Sequence, residues 1–271
     1  MTAIQFDGVS RDFAAPGRGQ YRALDGISLT VPAGAFVAIV GPSGCGKSTL
    51  LNLAAGLLTP SAGTVRVDGE PLAGLNQRAT YMFQHDALLP WKTVLDNVAL
   101  GLTLSRVARP EARARAREWL GRVGLAAFAD HYPAQLSGGM RKRAAMAQHW
   151  ILDRGLMLMD EPFSALDVHT RVRMETELLA LWEATAVARP KTIIFVTHDL
   201  EEAIALADEV IVLSAGPSAR LVARHAVTLD RPRDLMELRT STAFIDLYRT
   251  LWVVLREEVA RSQRAAEPTR G

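Results

Sequence analysis

Four short apolar runs, each closing on a polar residue or a glycine, organise the chain. They are AFVAIV (Ala35 to Val40, before Gly41), TYMFQ (Thr80 to Gln84), LMLMD (Leu156 to Asp160) and TIIFVTH (Thr192 to His198). Runs of this length and composition predict strands buried on both faces. After them the apolar spacing changes to that of helices, as in STLLNLAAGL from Ser48 and DLEEAIALAD from Asp199. In the second, Asp199 is followed three residues later by Glu202, a capping-box-like opening. Strands alternating with helices predict a parallel, doubly wound α/β sheet.

The first part of the chain reads differently. IQFDGV and ALDGISLTV are short β-like pieces on either side of the loop AAPGRGQ, and TVRVDG continues them, which predicts an N-terminal antiparallel β region. From Thr93 to Phe128 apolar positions recur at helical spacing with Arg and Glu between them, and this part extends through Gly138 and Gly139 into a helix expected to start near Met140. Near the end, Phe244, Leu247, Tyr248, Leu251, Leu255 and Val259 fall on one helical stripe. We expect one domain over about residues 1–260, with a core at about 1–92 and 156–220, a helical subdomain at about 93–155 and a C-terminal helical extension at about 230–260. The stretch RSQRAAEPTRG, 261–271, is expected to be a disordered tail.

Composition narrows the classes. A chain of 271 residues, 49% hydrophobic and 22% charged, folds around a sizeable core and is not a disordered or collagen-like sequence. A net charge of +2 does not favour nucleic acid as a partner, and the Arg-dense RPEARARAREWLGRVG reads as a solvated helix face. A single cysteine, Cys45, excludes an intramolecular disulfide and a clustered-cysteine metal site. The opening MTAIQFDGVSRDF lacks the pattern of a secretory signal, and no apolar stretch approaches the roughly 20 residues that span a bilayer. The protein is expected to be kept in the cytosol and to meet any membrane through partners.

GPSGCGKST carries the first chemistry: Gly41, Pro42, Ser43, Gly44, Cys45, Gly46, Lys47, Ser48 and Thr49 satisfy the pattern of glycine, four residues, Gly-Lys, then Ser or Thr. Placed between a buried strand and a helix, such a loop turns backbone N–H groups and a helix N-terminus toward phosphate oxygens. Lys47 reaches the β- and γ-phosphates of a nucleotide and Ser48 supplies a hydroxyl to Mg²⁺. LMLMDEP adds Asp160, a strand-end carboxylate for the metal, and Glu161, which can orient or deprotonate an attacking water. Between the two lies LSGGM, where Ser137, Gly138 and Gly139 make a second phosphate cradle ahead of a helix. One ATP has no evident need for two cradles in one chain.

The phosphate loop, LSGGM and MDEP, in that order and spacing, resemble the nucleotide-binding domains of ABC transporters. The resemblance covers nearly the whole chain. It implies a P-loop NTPase, RecA-like α/β core with a mixed or parallel sheet, an N-terminal antiparallel β region and a helical signature subdomain. It implies a head-to-tail homodimer, in which Ser137, Gly138 and Gly139 of one copy close on the ATP held by the other. Gln84 looks like the Q-loop glutamine, which senses Mg²⁺ and the attacking water and leads to the surface that receives the membrane subunit. Ser164 to Asp167 (SALD) resembles the D-loop, and His198 looks like the switch histidine that contacts the γ-phosphate. Phe13 matches the aromatic that stacks on adenine, with Tyr21 as the alternative. The implied partners are membrane permease subunits and, through them, a periplasmic or lipid-anchored solute-binding protein. The implied place is the cytoplasmic face of the inner membrane.

Within that family LLPWKTVLDNV (Leu88 to Val98), MDEPFSALD and LDRPRDLMELRTS look like the importers of nitrate, sulfonates, taurine and related anions. Two departures stand out: Met140 where Gln is commoner, and Gln148 where Arg is common. Two rivals are weaker. Soluble ABC proteins of translation or DNA repair carry tandem nucleotide domains or a long coiled coil, and neither is seen; a regulator that senses ATP without turnover would not need Glu161 and His198.

Overall fold

The computed structural model describes residues 2–15, 19–185 and 191–266. Two sheets enclose an apolar core between them. The first is antiparallel, in the order β2-β1-β4-β5, built from β1 (Thr2–Ala15), β2 (Gly19–Pro32), β4 (Ala62–Val67) and β5 (Glu70–Pro71). The second has six strands in the order β10-β9-β3-β8-β7-β6. Its members are β3 (Phe36–Val40), β6 (Ala79–Met82), β7 (Leu156–Asp160), β8 (Thr192–Val196), β9 (Glu209–Leu213) and β10 (Leu221–Ala226), all parallel except β10, which runs against β9. The parallel strands follow the strand and helix alternation, and the antiparallel β10 makes the sheet mixed, as the resemblance allows.

Alternation within the central strands explains their apolar runs. Phe36, Ala38 and Val40 of β3, Met157 and Met159 of β7, and Ile193 and Phe195 of β8 face one core. Val37, Ile39, Leu156, Leu158, Ile194 and Val196 face the other, beneath the antiparallel sheet. A strand buried on both faces has no polar position to spare until it ends. The first core is covered by α5 (Val168–Thr185), α6 (Leu200–Leu206), α7 (Leu235–Leu238) and α8 (Thr242–Ala266), with Phe244, Leu251 and Leu255 buried in it. The second receives α1 (Lys47–Ala54).

A third, separate core holds α2 (Val94–Leu104), α3 (Arg109–Arg122) and α4 (Gly138–Trp150) together. Ala112, Ala116 and Leu120 of the Arg-rich α3 are buried and Arg109, Arg117 and Arg122 are exposed, while Arg113 is half-buried and pairs with Asp96 of α2, so only part of its arginines form a solvated face.

Several boundaries differ from the sequence expectation. β1 and β2 are single long strands, because bulges between Phe6 and Val9 and between Val9 and Arg11 absorb the Asp7-Gly8 interruption. Phe13 therefore sits in a strand, and residues 16–18 of the expected loop lie outside the described residues. β6 stops at Met82, leaving Phe83 and Gln84 beyond the sheet. The sheet also continues past residue 220, since β10 pairs along the edge of β9. At the other end α8 runs to Ala266, with Arg261 paired to Glu258 one turn back at 2.8 Å, so 261–266 are helical; 267–271 lie outside the described residues.

Phe195 ties the sheet to the loop after Asp160: it is fully buried, with its ring centroid 5.9 Å from Phe36 and 6.0 Å from Phe163. Phe195→Ala should cost about 3–5 kcal/mol in urea unfolding. A loss below about 1 kcal/mol would contradict this packing.

Candidate functional site

The Gly41–Thr49 loop leaves the end of β3 and turns into α1. Gly46 is the N-cap, with φ 96°, and no side chain caps the helix. The first-turn N–H groups are thus left for a ligand, and an anion suits them. Lys47 Nζ donates to the carbonyls of Gly41 (2.9 Å) and Pro42 (3.1 Å). Gly41 has no room for a side chain, since a Cβ would lie 2.8 Å from Cys45 Sγ. Cys45 is buried and burial pushes its thiol up, which suits packing rather than redox chemistry.

Across from the loop, β7 ends at Asp160. Ser48 Oγ donates to its Oδ1 at 3.0 Å and Tyr81 Oη to its Oδ2 at 3.2 Å. Burial pushes the Asp160 carboxyl up, while those two hydrogen bonds pull it down. Glu161 follows with φ 44°, a left-handed conformation that a side chain with a Cβ seldom adopts. Its N–H is held by the Val196 carbonyl at 2.9 Å. After this bend, His198 Nδ1–H donates to Glu161 Oε2 at 3.0 Å.

Gln84 sits at a junction. Its Nε2 donates to Ser164 Oγ (3.2 Å), which donates to the Glu161 carbonyl (3.0 Å). From α4, Lys142 Nζ donates to the Gln84 carbonyl at 2.7 Å and pairs with Asp86 at 2.9 Å. The helical subdomain is thereby tied to the end of β7.

A cavity of about 360 Å³ lies over the loop, lined by Phe13, Tyr21, Ser43, Gly44, Lys47, Ser48 and Glu161 among others. Phe13 and Tyr21 are direct cross-strand partners, so the two candidates for base stacking form one wall. Arg11 already stacks over the Phe13 ring at 4.7 Å, whereas Tyr21 is exposed. Ser137, Gly138 and Gly139 do not line this cavity. The helix they open starts at Gly138, earlier than expected, because Ser137 Oγ caps it by accepting from Met140 N–H at 3.3 Å. The Met140 side chain packs against the helical core, so an apolar residue fits there.

Some contacts carry little or no sequence signal. Tyr81 bonds Asp160, and its only signal is a hydroxyl inside an otherwise apolar strand. Lys142 has none beyond its motif neighbours, yet it is buried. Asp199 caps α6 by accepting from Glu201 and Glu202 N–H (2.8 and 3.3 Å), but the reciprocal half of the capping box is not made. Glu202 instead takes the Thr197 hydroxyl at 2.6 Å, and Thr197 Oγ1 accepts from Asp199 N–H at 3.0 Å.

The oxygen pair of Ser48 and Asp160 beside an uncapped helix N-terminus suits a hard cation and a phosphate. Among the described residues no cluster of three or more His, Cys, Asp or Glu could hold a metal by itself. Nor is any helix among them long and apolar enough to cross a membrane.

Fold and site define a phosphate-loop nucleotide hydrolase. The family pattern described as ABC transporter matches residues 24–164. The taurine import ATP-binding protein TauB of Yersinia pestis bv. Antiqua (strain Antiqua) is 47% identical over 195 residues, covering 72% of this chain and 75% of that protein. The nitrate import ATP-binding protein NrtC of Synechococcus elongatus is 39% identical over 94% of this chain, which spans 38% of NrtC. The dimeric structure of MJ0796, described as a bacterial ABC transporter cassette, matches with a TM-score of 0.72 at 31% identity, over 84% of this chain and 100% of that one. A dimeric post-hydrolysis state of MJ0796 bound to ADP and Pi matches at 0.71 and 30%, with the same coverage. The chain belongs to the ATP-binding, ATP-hydrolysing domains of the ABC transporter family.

Burial pushes the Glu202 carboxyl from its ordinary 4.5 up to about 7, against the Thr197 hydrogen bond that pulls it down. A carboxyl raised in the folded state contributes stability that is full below pH 4.5 and is lost as pH rises through about 7. Glu202→Gln cannot ionise and keeps that stability, so its advantage over the unsubstituted protein should grow across this window, by at most about 3 kcal/mol, in urea unfolding. A difference independent of pH would contradict the burial argument.

Proposed function

We propose that this chain is the ATPase subunit of an ABC importer that powers uptake of a small anionic organosulfur or nitrogen solute, such as taurine, a sulfonate or nitrate, through separate permease subunits. The observation that carries the motor half of this reading is that one chain bonds Ser48 of the phosphate loop to Asp160, and Glu161 to His198, while Ser137, Gly138 and Gly139 stay off the walls of the cavity over the loop. The relatives named for taurine and nitrate import support the solute class.

Each residue then has a task. The loop from Gly41 to Thr49 cradles the triphosphate, with Lys47 turning from the Gly41 and Pro42 carbonyls to the β- and γ-phosphates. Ser48, Asp160 and Gln84 would hold Mg²⁺, whose charge neutralises the phosphate oxygens. Glu161 orients or deprotonates the attacking water, and His198, already bonded to Glu161, contacts the γ-phosphate. The Phe13 and Tyr21 wall stacks on adenine. Two copies bind two ATP head to tail, each offering Ser137, Gly138 and Gly139 to the other's nucleotide. Closure pulls on Gln84 through Ser164 and Lys142, and so on the permease at the cytoplasmic face of the inner membrane, which receives its solute from a periplasmic or lipid-anchored binding protein.

Two outcomes follow. Glu161→Gln should bind ATP, lower steady-state phosphate release by about 100-fold or more, and accumulate as a dimer on size exclusion with ATP; unchanged turnover would remove Glu161 from its role. Deleting the gene should abolish uptake of labelled taurine, an alkanesulfonate or nitrate by the host cell. Undiminished uptake of all three would exclude the solute class.

A further inference from the structure

The loop carrying His198 joins β8 to α6, and among the described residues the imidazole makes one side-chain hydrogen bond, to Glu161. Its outer side opens on a cavity of about 390 Å³ walled by Tyr248 and Trp252 of α8. Placement of the ring therefore depends on the backbone of Thr197, His198 and Asp199. That backbone is fixed from behind by polar groups. Thr197 is buried and its hydroxyl bridges Glu202 and the Asp199 N–H.

The groups facing Glu202 come from every neighbouring element. Arg171 of α5 pairs with Asp199 at 3.1 Å and lies 3.6 Å from Glu202 Oε1. One turn further along α5, Glu175 is fully buried and is met by Arg239, between α7 and α8, at 2.5 Å. Arg239 also lies 3.9 Å from Glu201. Carboxylates outnumber guanidinium groups in this cluster, and holding buried carboxylates together is costly unless each is tied down. Packing alone would be better served by apolar residues. What the arrangement does supply is a rigid acceptor under the histidine loop.

We propose that Glu202 is a positioning residue for His198, fixing the loop by taking the Thr197 hydroxyl, with Arg171 as the counter-charge beside it. This rests on the reading of His198 as the γ-phosphate contact.

The test is steady-state ATP hydrolysis by the full chain over a range of ATP concentrations. Glu202→Ala should lower kcat by about 10- to 100-fold, the scale of a small misplacement of a reacting group, with KM for ATP changed by less than about twofold. Glu202→Gln, which still accepts from Thr197, should recover most of that loss. Thr197→Val should reproduce it and Thr197→Ser should not, which covers the case of a poorly folding alanine variant. Full kcat in both Glu202→Ala and Thr197→Val, or KM rising in step with the fall in kcat, would overturn the proposal. So would a Glu202→Gln variant no faster than Glu202→Ala. His198→Ala separates the two layers: if it is slow while Glu202→Ala is normal, only the positioning claim falls; if it is itself normal, the reading of His198 falls and takes the positioning claim with it.

Discussion

The charges on a triphosphate must be met on every side by donors fixed before the ligand arrives, or the protein spends binding energy on reorganising itself. Here the Gly41–Thr49 loop meets them from one side only. Its uncapped helix, with Gly46 in a left-handed conformation, has donors pointing outward and nothing of its own chain's Ser137 loop opposite. Ser137 meanwhile caps α4 and remains exposed. Under the proposed function the site is built in halves, and closure would depend on ligand and second copy together.

The helical subdomain packs around its own apolar cluster, and α4 joins it to the core on one face of the main sheet through Ala145, Met146 and Trp150. Lys142 is buried where that subdomain meets the Gln84 loop, and it holds both the Gln84 carbonyl and Asp86. A charged group thus links α4 to Gln84, and Ser164 links Gln84 to the Glu161 backbone.

Much of this is legible in the sequence because buried parallel strands and phosphate loops leave dense local signals. β3, β7 and β8 appear as unbroken apolar runs, and Lys47, Ser48 and Asp160 fall where their motifs place them. Long-range side-chain pairing leaves no such trace. Tyr81 meets Asp160 because β6 lies beside β7, and Glu202 leaves the capping box because its carboxylate is taken by the buried Thr197 hydroxyl. The hairpin of β1 and β2 reads as fragments along the chain, since its bulges interrupt the period of two on which strand reading depends. The choice between Phe13 and Tyr21 is equally invisible there, because register puts them side by side.

The division of the site between two copies can be measured by complementation. Lys47→Ala disables a chain's own phosphate loop, and Ser137→Arg disables what it offers to its twin; each variant alone should be silent in steady-state phosphate release. Mixed, they form heterodimers in which one intact phosphate loop faces one intact Ser137, and turnover should return. If each chain's loop and serine served the same nucleotide, the mixture would stay as silent as its parts, and the account would be wrong.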